Sequence, residues 1–334
     1  LQAFDGEIYS GYGDWNANTG PIVLCGFDPS SNTFDCEFTQ QAESIARFRV
    51  LNNKLYSISI DPVGTSVGDV YAVKSGGSWS AIRQDDMQTA PGQGPVHPHD
   101  MNVYNGSLWV FSDWWTGTYL QDPAGAQHAR ASRSDNNGLT WYSGLSLPND
   151  PWPVADYAKA FCFGEVFNNK LYVQEGTYGC GSMTESFSRV YDGTNWTTGP
   201  NLAPSGRAGA IGITGAATRK TSIFSDLMTM IHDKKLYAFD GTSTTLTNDA
   251  LIYDYTISGA EVYVLRYSGQ VCRTQNLLSY NCFNTAPTTA RSIEVLDGFV
   301  FVGTTLAQIH KAPIPERINT GFLPSIFYLL LEEG

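Results

Sequence analysis

The sequence predicts an all-β fold, a β-propeller of six four-stranded blades, with a seventh accommodated by one further turn signal. Three observations carry this. A hairpin pattern recurs along the chain, a second hairpin type alternates with it, and the composition suits short strands joined by tight turns. The 334 residues are 42% hydrophobic and 13% aromatic, with 33 Gly and only 16% charged residues, enough apolar material for a large core.

The first hairpin pattern is an apolar run, a two-residue turn and an apolar-aromatic run. It reads Phe4-Asp5-Gly6-Glu7-Ile8-Tyr9, then Leu51-Asn52-Asn53-Lys54-Leu55-Tyr56, then Tyr104-Asn105-Gly106-Ser107-Leu108-Trp109. It returns as Phe167-Asn168-Asn169-Lys170-Leu171-Tyr172, His232-Asp233-Lys234-Lys235-Leu236-Tyr237 and Leu296-Asp297-Gly298-Phe299-Val300-Phe301. Asn or Asp followed by Gly or Asn tolerates the positive φ that a type I′ turn requires at both central residues. The turns begin at residues 5, 52, 105, 168, 233 and 297, so copies lie 47, 53, 63, 65 and 64 residues apart. That matches four-stranded blades with added loops.

A second hairpin follows in several units. Val70-Tyr71-Ala72-Val73 leads through Gly76-Gly77 to Trp79, Arg189-Val190-Tyr191 through Asp192-Gly193 to Trp196, and Val262-Tyr263-Val264-Leu265 through Ser268-Gly269 to Val271. Two hairpins per unit make a blade, and blades in a ring leave only short protected edges. A large sandwich or barrel is the competing architecture. Ser258-Gly259 is the turn signal that would add a seventh blade between residues 240 and 290. Stretches 83–96, 113–130 and 199–224, rich in Gly, Pro, Asp and Ser, read as loops. The propeller is expected over residues 1–312. Residues 313–334, Pro-broken, then apolar, then acidic, read as a tail packed on the propeller or on a neighbouring subunit.

The formal net charge is −12, which disfavours nucleic acid and anionic membrane surfaces as partners. The apolar stretch Phe327 to Leu331 is far too short to span a bilayer. Leu1 stands first without an initiator Met, as in a processed or trimmed piece. The six cysteines fall into close pairs, Cys25/Cys36, Cys162/Cys180 and Cys272/Cys282. Local disulfides would place the chain outside the cytosol, and six packed thiols are the alternative. No Cys or His spacing suits a metal, and no cofactor is expected.

Two sets of residues carry candidate chemistry. In Asp113-Trp114-Trp115-Thr116-Gly117-Thr118-Tyr119, aromatics and a carboxylate share what reads as a loop, and Asp14-Trp15 adds another. Flat rings beside polar groups suit sugar binding, although inter-blade packing also uses Trp. The ligand contacts expected are thus Trp15, Asp113, Trp114, Trp115 and Tyr119. Pro95-Val96-His97-Pro98-His99-Asp100 concentrates two histidines before an inner strand, where a general base is conceivable beside a solvent-facing loop as the plainer reading. Arg47, Arg49, Arg189, Arg207 and Arg291 fall in different blades; each reads as a salt bridge unless the fold makes them converge.

Ser134-Asp135-Asn136-Asn137-Gly138-Leu139-Thr140-Trp141 resembles the Asp-box, Ser-x-Asp-x-Gly-x-Thr-Trp, of sialidase-like propellers, with Asn136 in place of Asp. The resemblance implies a blade hairpin away from the catalytic face and names no site. Gly11-Tyr12-Gly13-Asp14-Trp15-Asn16-Ala17-Asn18-Thr19-Gly20-Pro21 is similar to a block in uncharacterised bacterial and bacteriophage propellers, a likeness extending over roughly half the chain. The ending Tyr328-Leu329-Leu330-Leu331-Glu332-Glu333-Gly334 resembles endings of phage structural proteins. These likenesses imply a phage virion protein of the tail or capsid surface, and a non-enzymatic role is expected because spacing assembles no complete set of acid, base and charge-stabilising residues. It would be extracellular or on the virion, and its partners a surface glycan or other virion proteins. The alternative is a polysaccharide lyase or glycosidase working at the central pocket. In propeller lyases His, Tyr and Arg act on a uronate. By that likeness His97 or His99 would be the base, Tyr157 the acid, and Arg47 or Arg207 the carboxylate clamp.

Overall fold

The type I′ turns form where the Asn and Asp pairs place them. Asn52 and Asn53 have φ of 50° and 56°, Asn168 and Asn169 48° and 56°, and Asn105, Asp5 and Asp297 each 50° with a Gly following. The computed structural model describes residues 1–13, 17, 19–61, 63, 68–87, 94–115, 127–148, 159–177, 180, 187–202, 221–232, 234–248 and 251–316.

Antiparallel strands build seven sheets in chain order. Blade 1 contains β1 (Gln2–Phe4), β2 (Glu7–Ser10), β3 (Ile22–Asp28) and β4 (Thr33–Gln40). Blade 2 contains β5 (Ser44–Leu51), β6 (Lys54–Ile60), β7 (Asp69–Ser75) and β8 (Ser78–Arg83). Blade 3 contains β9 (Gly94–Tyr104), β10 (Ser107–Trp115), β11 (Gln127–Ser134) and β12 (Tyr142–Pro148). Blade 4 contains β13 (Lys159–Phe167), β14 (Lys170–Thr177), β15 (Ser188–Tyr191) and β16 (Trp196–Thr198). Blade 5 contains β17 (Thr221–Phe224), β18 (Leu227–His232), β19 (Lys235–Phe239) and β20 (Thr244–Asn248). Blade 6 contains β21 (Ile252–Ser258), β22 (Glu261–Arg266), β23 (Gln270–Thr274) and β24 (Asn281–Thr285). Blade 7 shows three strands among the described residues, β25 (Ala290–Leu296), β26 (Phe299–Thr304) and β27 (Ile309–Pro313).

The blade count is therefore seven, and the reason six turns suggested six blades is specific. Of the expected Asp233-Lys234 turn, Asp233 lies outside the described residues, and Lys234, φ 62°, precedes β19, the third strand of blade 5 rather than the second. The first hairpin of that blade turns at Ser225, φ 53°, a Ser-Asp pair that carries no Asn-Gly signature. The Ser258-Gly259 signal is real and closes the first hairpin of blade 6, with Gly259 at φ 58°. Two of the expected loops also shorten. Residues 94–96 belong to β9, 113–115 to β10 and 127–130 to β11. Of the expected tail, Pro313 closes β27, and everything from residue 317 lies outside the described residues.

The core is not one mass but seven apolar seams, one between each pair of neighbouring blades. Ile22 and Leu24 of blade 1 meet Ala72 of blade 2, and Tyr56, Ile58 and Tyr71 of blade 2 meet Val110 and Trp114 of blade 3. Trp109 and Phe111 meet Phe161 and Val173 of blade 4. Phe163 and Tyr172 meet Met228 and Phe239 of blade 5, Leu236 and Ala238 meet Tyr255 and Val264 of blade 6, and Leu265 meets Ile293 and Val302 of blade 7. Phe301 of blade 7 packs on Ile8 and Phe27 of blade 1 and closes the ring. Alternation along each strand produces this, since successive side chains point to opposite faces and each face meets a different neighbour.

All three cysteine pairs are disulfides. Cys25–Cys36 and Cys272–Cys282 bond residues directly opposite each other on third and fourth strands, with Cα atoms 4.0 Å and 3.8 Å apart. Cys162–Cys180 ties β13 to the segment after β14 across 5.4 Å.

The Ser134–Trp141 turn joins β11 to β12 and folds as its residues suggest. Ser134 Oγ accepts from Gly138 N at 2.8 Å, and Asn136 Oδ1 accepts from Thr140 N at 2.9 Å. Gly138 holds φ +92°. Trp141 donates its Nε1 to the Gly138 carbonyl at 3.0 Å and packs edge-on to Tyr71 of blade 2, in the seam between the two blades.

Candidate functional site

The innermost strands line a central channel, and their polar residues meet there. Arg49, on β5, reaches across it and ties blades 2, 3, 4 and 5 together. Its Nε and Nη2 donate to Asp100 Oδ1 and Oδ2 at 2.9 and 2.7 Å. Nη1 donates to Glu165 Oε2 at 3.0 Å and the Thr221 carbonyl at 3.1 Å, and Nη2 also donates to Thr221 Oγ1 at 2.7 Å. Arg47, two residues earlier on the same face, donates to Asp100 Oδ2 at 2.8 Å. Asn102 donates to Glu165 Oε1 at 3.0 Å, and the Gly164 amide to Asp100 Oδ2 at 3.1 Å. Gly164 has to be glycine, because a Cβ there would sit 2.0 Å from the Phe111 ring.

Burial would raise the Asp100 carboxyl, but Arg47 and Arg49 outweigh it and hold it below the carboxylate range. Burial would likewise strip Arg49 of its proton, and Asp100 with Glu165 raise it instead. A smaller version recurs on the opposite side. Asp254 Oδ2 accepts from the Ile293 amide at 3.0 Å, and Thr256 Oγ1 donates to Glu294 Oε1 at 2.6 Å. Charge-assisted, multidentate bonds of this kind are strong and fix geometry.

A second cluster sits where β6, β9 and β10 end on one face of the ring. Asp113 of β10 stands opposite His97 of β9. His97 is clamped on both ring nitrogens, Nδ1 to Asp113 Oδ2 at 2.7 Å and Nε2 to Asp61 Oδ1 at 2.6 Å. His99 Nε2 lies 3.1 Å from Asp113 Oδ1. Burial alone would push His97 towards the neutral form. The charges and hydrogen bonds of Asp113 and Asp61 win and raise it well above its ordinary value. Burial would raise Asp113, and the two histidines bring it far below the usual range. The protonated form of His97 is thus favoured, with each ring nitrogen facing a carboxylate oxygen. The expected general base His97 therefore lies between two carboxylates, Asp113 and Asp61. His99 is buried on the same carboxylate.

The expected sugar-contact loop is rearranged. Trp114 lies in β10, 1% exposed, inside the seam between blades 2 and 3. Asp113, also 1% exposed, points to the histidines. Neither offers a face to a ligand, because the strand continues to Trp115 and alternation buries these positions. Trp115 ends β10, and its side chain lies outside the described residues, as do Trp15, Tyr119, Tyr157 and Arg207 in full. Of the five arginines, Arg47 and Arg49 converge. Arg189 pairs with Glu175 in blade 4, and Arg291 lies over Tyr253, 4.3 Å from the ring centre, in the seam between blades 6 and 7.

Sequence reasoning gave no role to Asp100, Glu165, Glu294 or Asp61. For Glu165 and Glu294 a signal existed. The residue three before each first-hairpin turn is Gln2, Arg49, Asn102, Glu165, Ser222, Thr256 or Glu294, polar in every blade. The buried Arg130, which lies over Trp114 with its Cζ 3.7 Å from the ring centre, was missed too.

No family model matches this chain, and no curated protein sequence matches it. Among solved structures, it is similar to a streptogramin B lyase at a TM-score of 0.52 and 15% identity, covering 92% of this chain and 90% of that one. It is also similar to an alpha-L-arabinofuranosidase mutant from Fusarium graminearum bound to an iminosugar inhibitor, at a TM-score of 0.49 and 9% identity, covering 77% of this chain and 86% of that one. YCF48 from Cyanidioschyzon merolae is similar at a TM-score of 0.46 and 10% identity, covering 89% and 92%. The first of these likenesses shows the propeller fold alone, and propellers host unrelated functions.

Proposed function

We propose that this chain is a non-catalytic propeller module that binds a surface glycan or glycosylated receptor on the face where β9, β10 and β11 meet the histidine cluster. One observation carries the reading: among the described residues, Arg49 on the axis and His97 at its mouth are spent on the carboxylates around them. Arg49 is shared among Asp100, Glu165 and Thr221, and His97 is held between Asp61 and Asp113. A hydrolase or lyase needs a base with a free lone pair aimed at substrate, within about 3 Å of the proton it takes. Three disulfides suit an oxidising, extracellular setting. Placement on a virion surface extends this reading from the Gly11–Pro21 likeness.

The test is a glycan array probed with the labelled protein, with each bound glycan then incubated with the protein and checked for reducing ends and unsaturated uronate. Saturable binding with intact glycan supports the proposal. Turnover that disappears in His99→Ala would transfer the case to a lyase or glycosidase.

A further inference from the structure

Arg130 is 8% exposed, yet among the described residues its side chain forms no ion pair and no hydrogen bond. Its Nε is buried without a partner, whereas neither Nη is among the buried unpartnered atoms. An arginine nine-tenths out of water ordinarily carries a carboxylate with it, because desolvating a lone charge costs several kcal/mol. Arg47 and Arg49 in the same protein obey that rule through Asp100 and Glu165. Arg130 does not. Burial is what acts on it, lowering its pKa to about 10, which still leaves it charged at neutral pH.

Its surroundings are ordered to leave one charge unsatisfied. Strand register puts Arg130 opposite Ser112, with His128 opposite Trp114 one step along the same face. Ala129 and Ala131 pack towards blade 4, so alternation directs Arg130 to the blade 2 side, where Trp114 lies. The guanidinium lies over the indole with its Cζ 3.7 Å from the ring centre. A cation–π contact fixes the plane of the fork and occupies its face, but leaves the in-plane N–H donors available. Ser112 Oγ and Ser132 Oγ on the same sheet face are buried without partners as well. His128 is lowered first by burial and then by Arg130, so it is neutral at pH 7 and adds no second charge. A single fixed fork with no second cation matches a singly charged planar anion, whereas a doubly charged phosphate wants more.

We infer that Arg130, braced on Trp114 and flanked by His128, is a docking point for the carboxylate of an acidic sugar in the surface ligand of this face. The inference rests on the glycan-binding reading and adds the ligand's charge to it. It runs against the chain's −12 net charge, which repels polyanions at long range. Such repulsion is screened beyond about 8–10 Å in physiological salt and does not govern one direct contact.

The experiment titrates the folded protein with methyl β-D-glucuronide, methyl β-D-glucoside, N-acetyl-aspartate amide and inorganic phosphate, read by calorimetry and Trp fluorescence. Saturable binding of the glucuronide, at least tenfold weaker glucoside binding, and at least tenfold loss in Arg130→Gln are expected. Arg130→Lys, which keeps charge and stem but loses the fork, should fall between, and it serves if the Gln variant fails to fold by near-UV circular dichroism. Glucuronide affinity unchanged in both variants, or no glucuronide binding, overturns the inference. So does equal or tighter binding of the aspartate amide or of phosphate. Glycans bound on the array while glucuronide affinity is unchanged in Arg130→Gln would leave the binding reading standing and sink only this assignment.

Discussion

Arg49→Met is the most informative single perturbation of the scaffold. The side chain is 13% exposed and joins Asp100, Glu165 and Thr221 across four blades. Met replaces its stem in volume but leaves two buried carboxylates short of a cation. Breaking a buried pair by removing one partner costs about 3–5 kcal/mol. Asp100 keeps Arg47 and the Gly164 amide, and Glu165 keeps Asn102, so the lower end, about 3 kcal/mol, applies. At roughly 2.1 cal/mol/K per residue over 334 residues, the unfolding entropy near the midpoint is about 0.7 kcal/mol/K, and Tm should fall by about 4 °C. Differential scanning calorimetry reads this directly. Adding Glu165→Gln removes the stranded charge and should restore part of the loss, since contacting residues are not additive. A Tm within 1 °C of wild type, or no recovery in the double variant, would refute the account of Arg49 as the shared counter-charge of the channel.

Further outcomes follow from other parts of the ring. His97 is raised in the folded state, so its contribution is complete below its ordinary value of about 6.5, fades as pH climbs and is lost above its folded pKa. Asp113 is lowered, so its contribution is complete above about 3.9 and fades as pH falls towards its folded value. Thermal stability measured against pH should therefore peak between about pH 4 and 6.5, and His97→Gln should flatten the alkaline side of the curve. Trp114→Ala should cost about 3–5 kcal/mol as a core deletion, seen by chemical denaturation, where an exposed loop residue would cost less than 1. Among the disulfides, Cys36 lies on the exposed face of β4 whereas Cys162 and Cys180 are buried. Graded reduction followed by alkylation and mass mapping should open Cys25–Cys36 before Cys162–Cys180, with about 3 kcal/mol lost per bond in the loop-entropy model.

The fold was legible because each blade's first turn is a local chemical event. Asn-Asn and Asn-Gly pairs adopt positive φ on their own account, and five of the seven first-hairpin turns announce themselves as Asn/Asp pairs. Ser225-Asp226 does not, and the Asp233-Lys234 turn mimicked it one strand late. The cysteine pairs were legible for the same reason, since two of them cross adjacent strands. The site was far less readable. Trp114 looked like a loop residue because Gly117 and its neighbours follow it, and nothing local says that β10 continues to Trp115. Arg49 and Glu165 are 116 residues apart, and only ring closure brings them together. The histidine motif stood out in the sequence, but its partner Asp61, supplied by the neighbouring blade and 2.6 Å from His97 Nε2, did not.

The central claim is that the face of this propeller carrying the histidine cluster binds and does not cleave. Its most direct measurement takes the tightest glycan from the array, determines its dissociation constant by calorimetry, and recovers that glycan after prolonged incubation for mass analysis. The account predicts saturable binding at one site per chain with the glycan recovered unchanged. Cleaved glycan, formed at a rate proportional to protein concentration and abolished in His99→Ala, would contradict it.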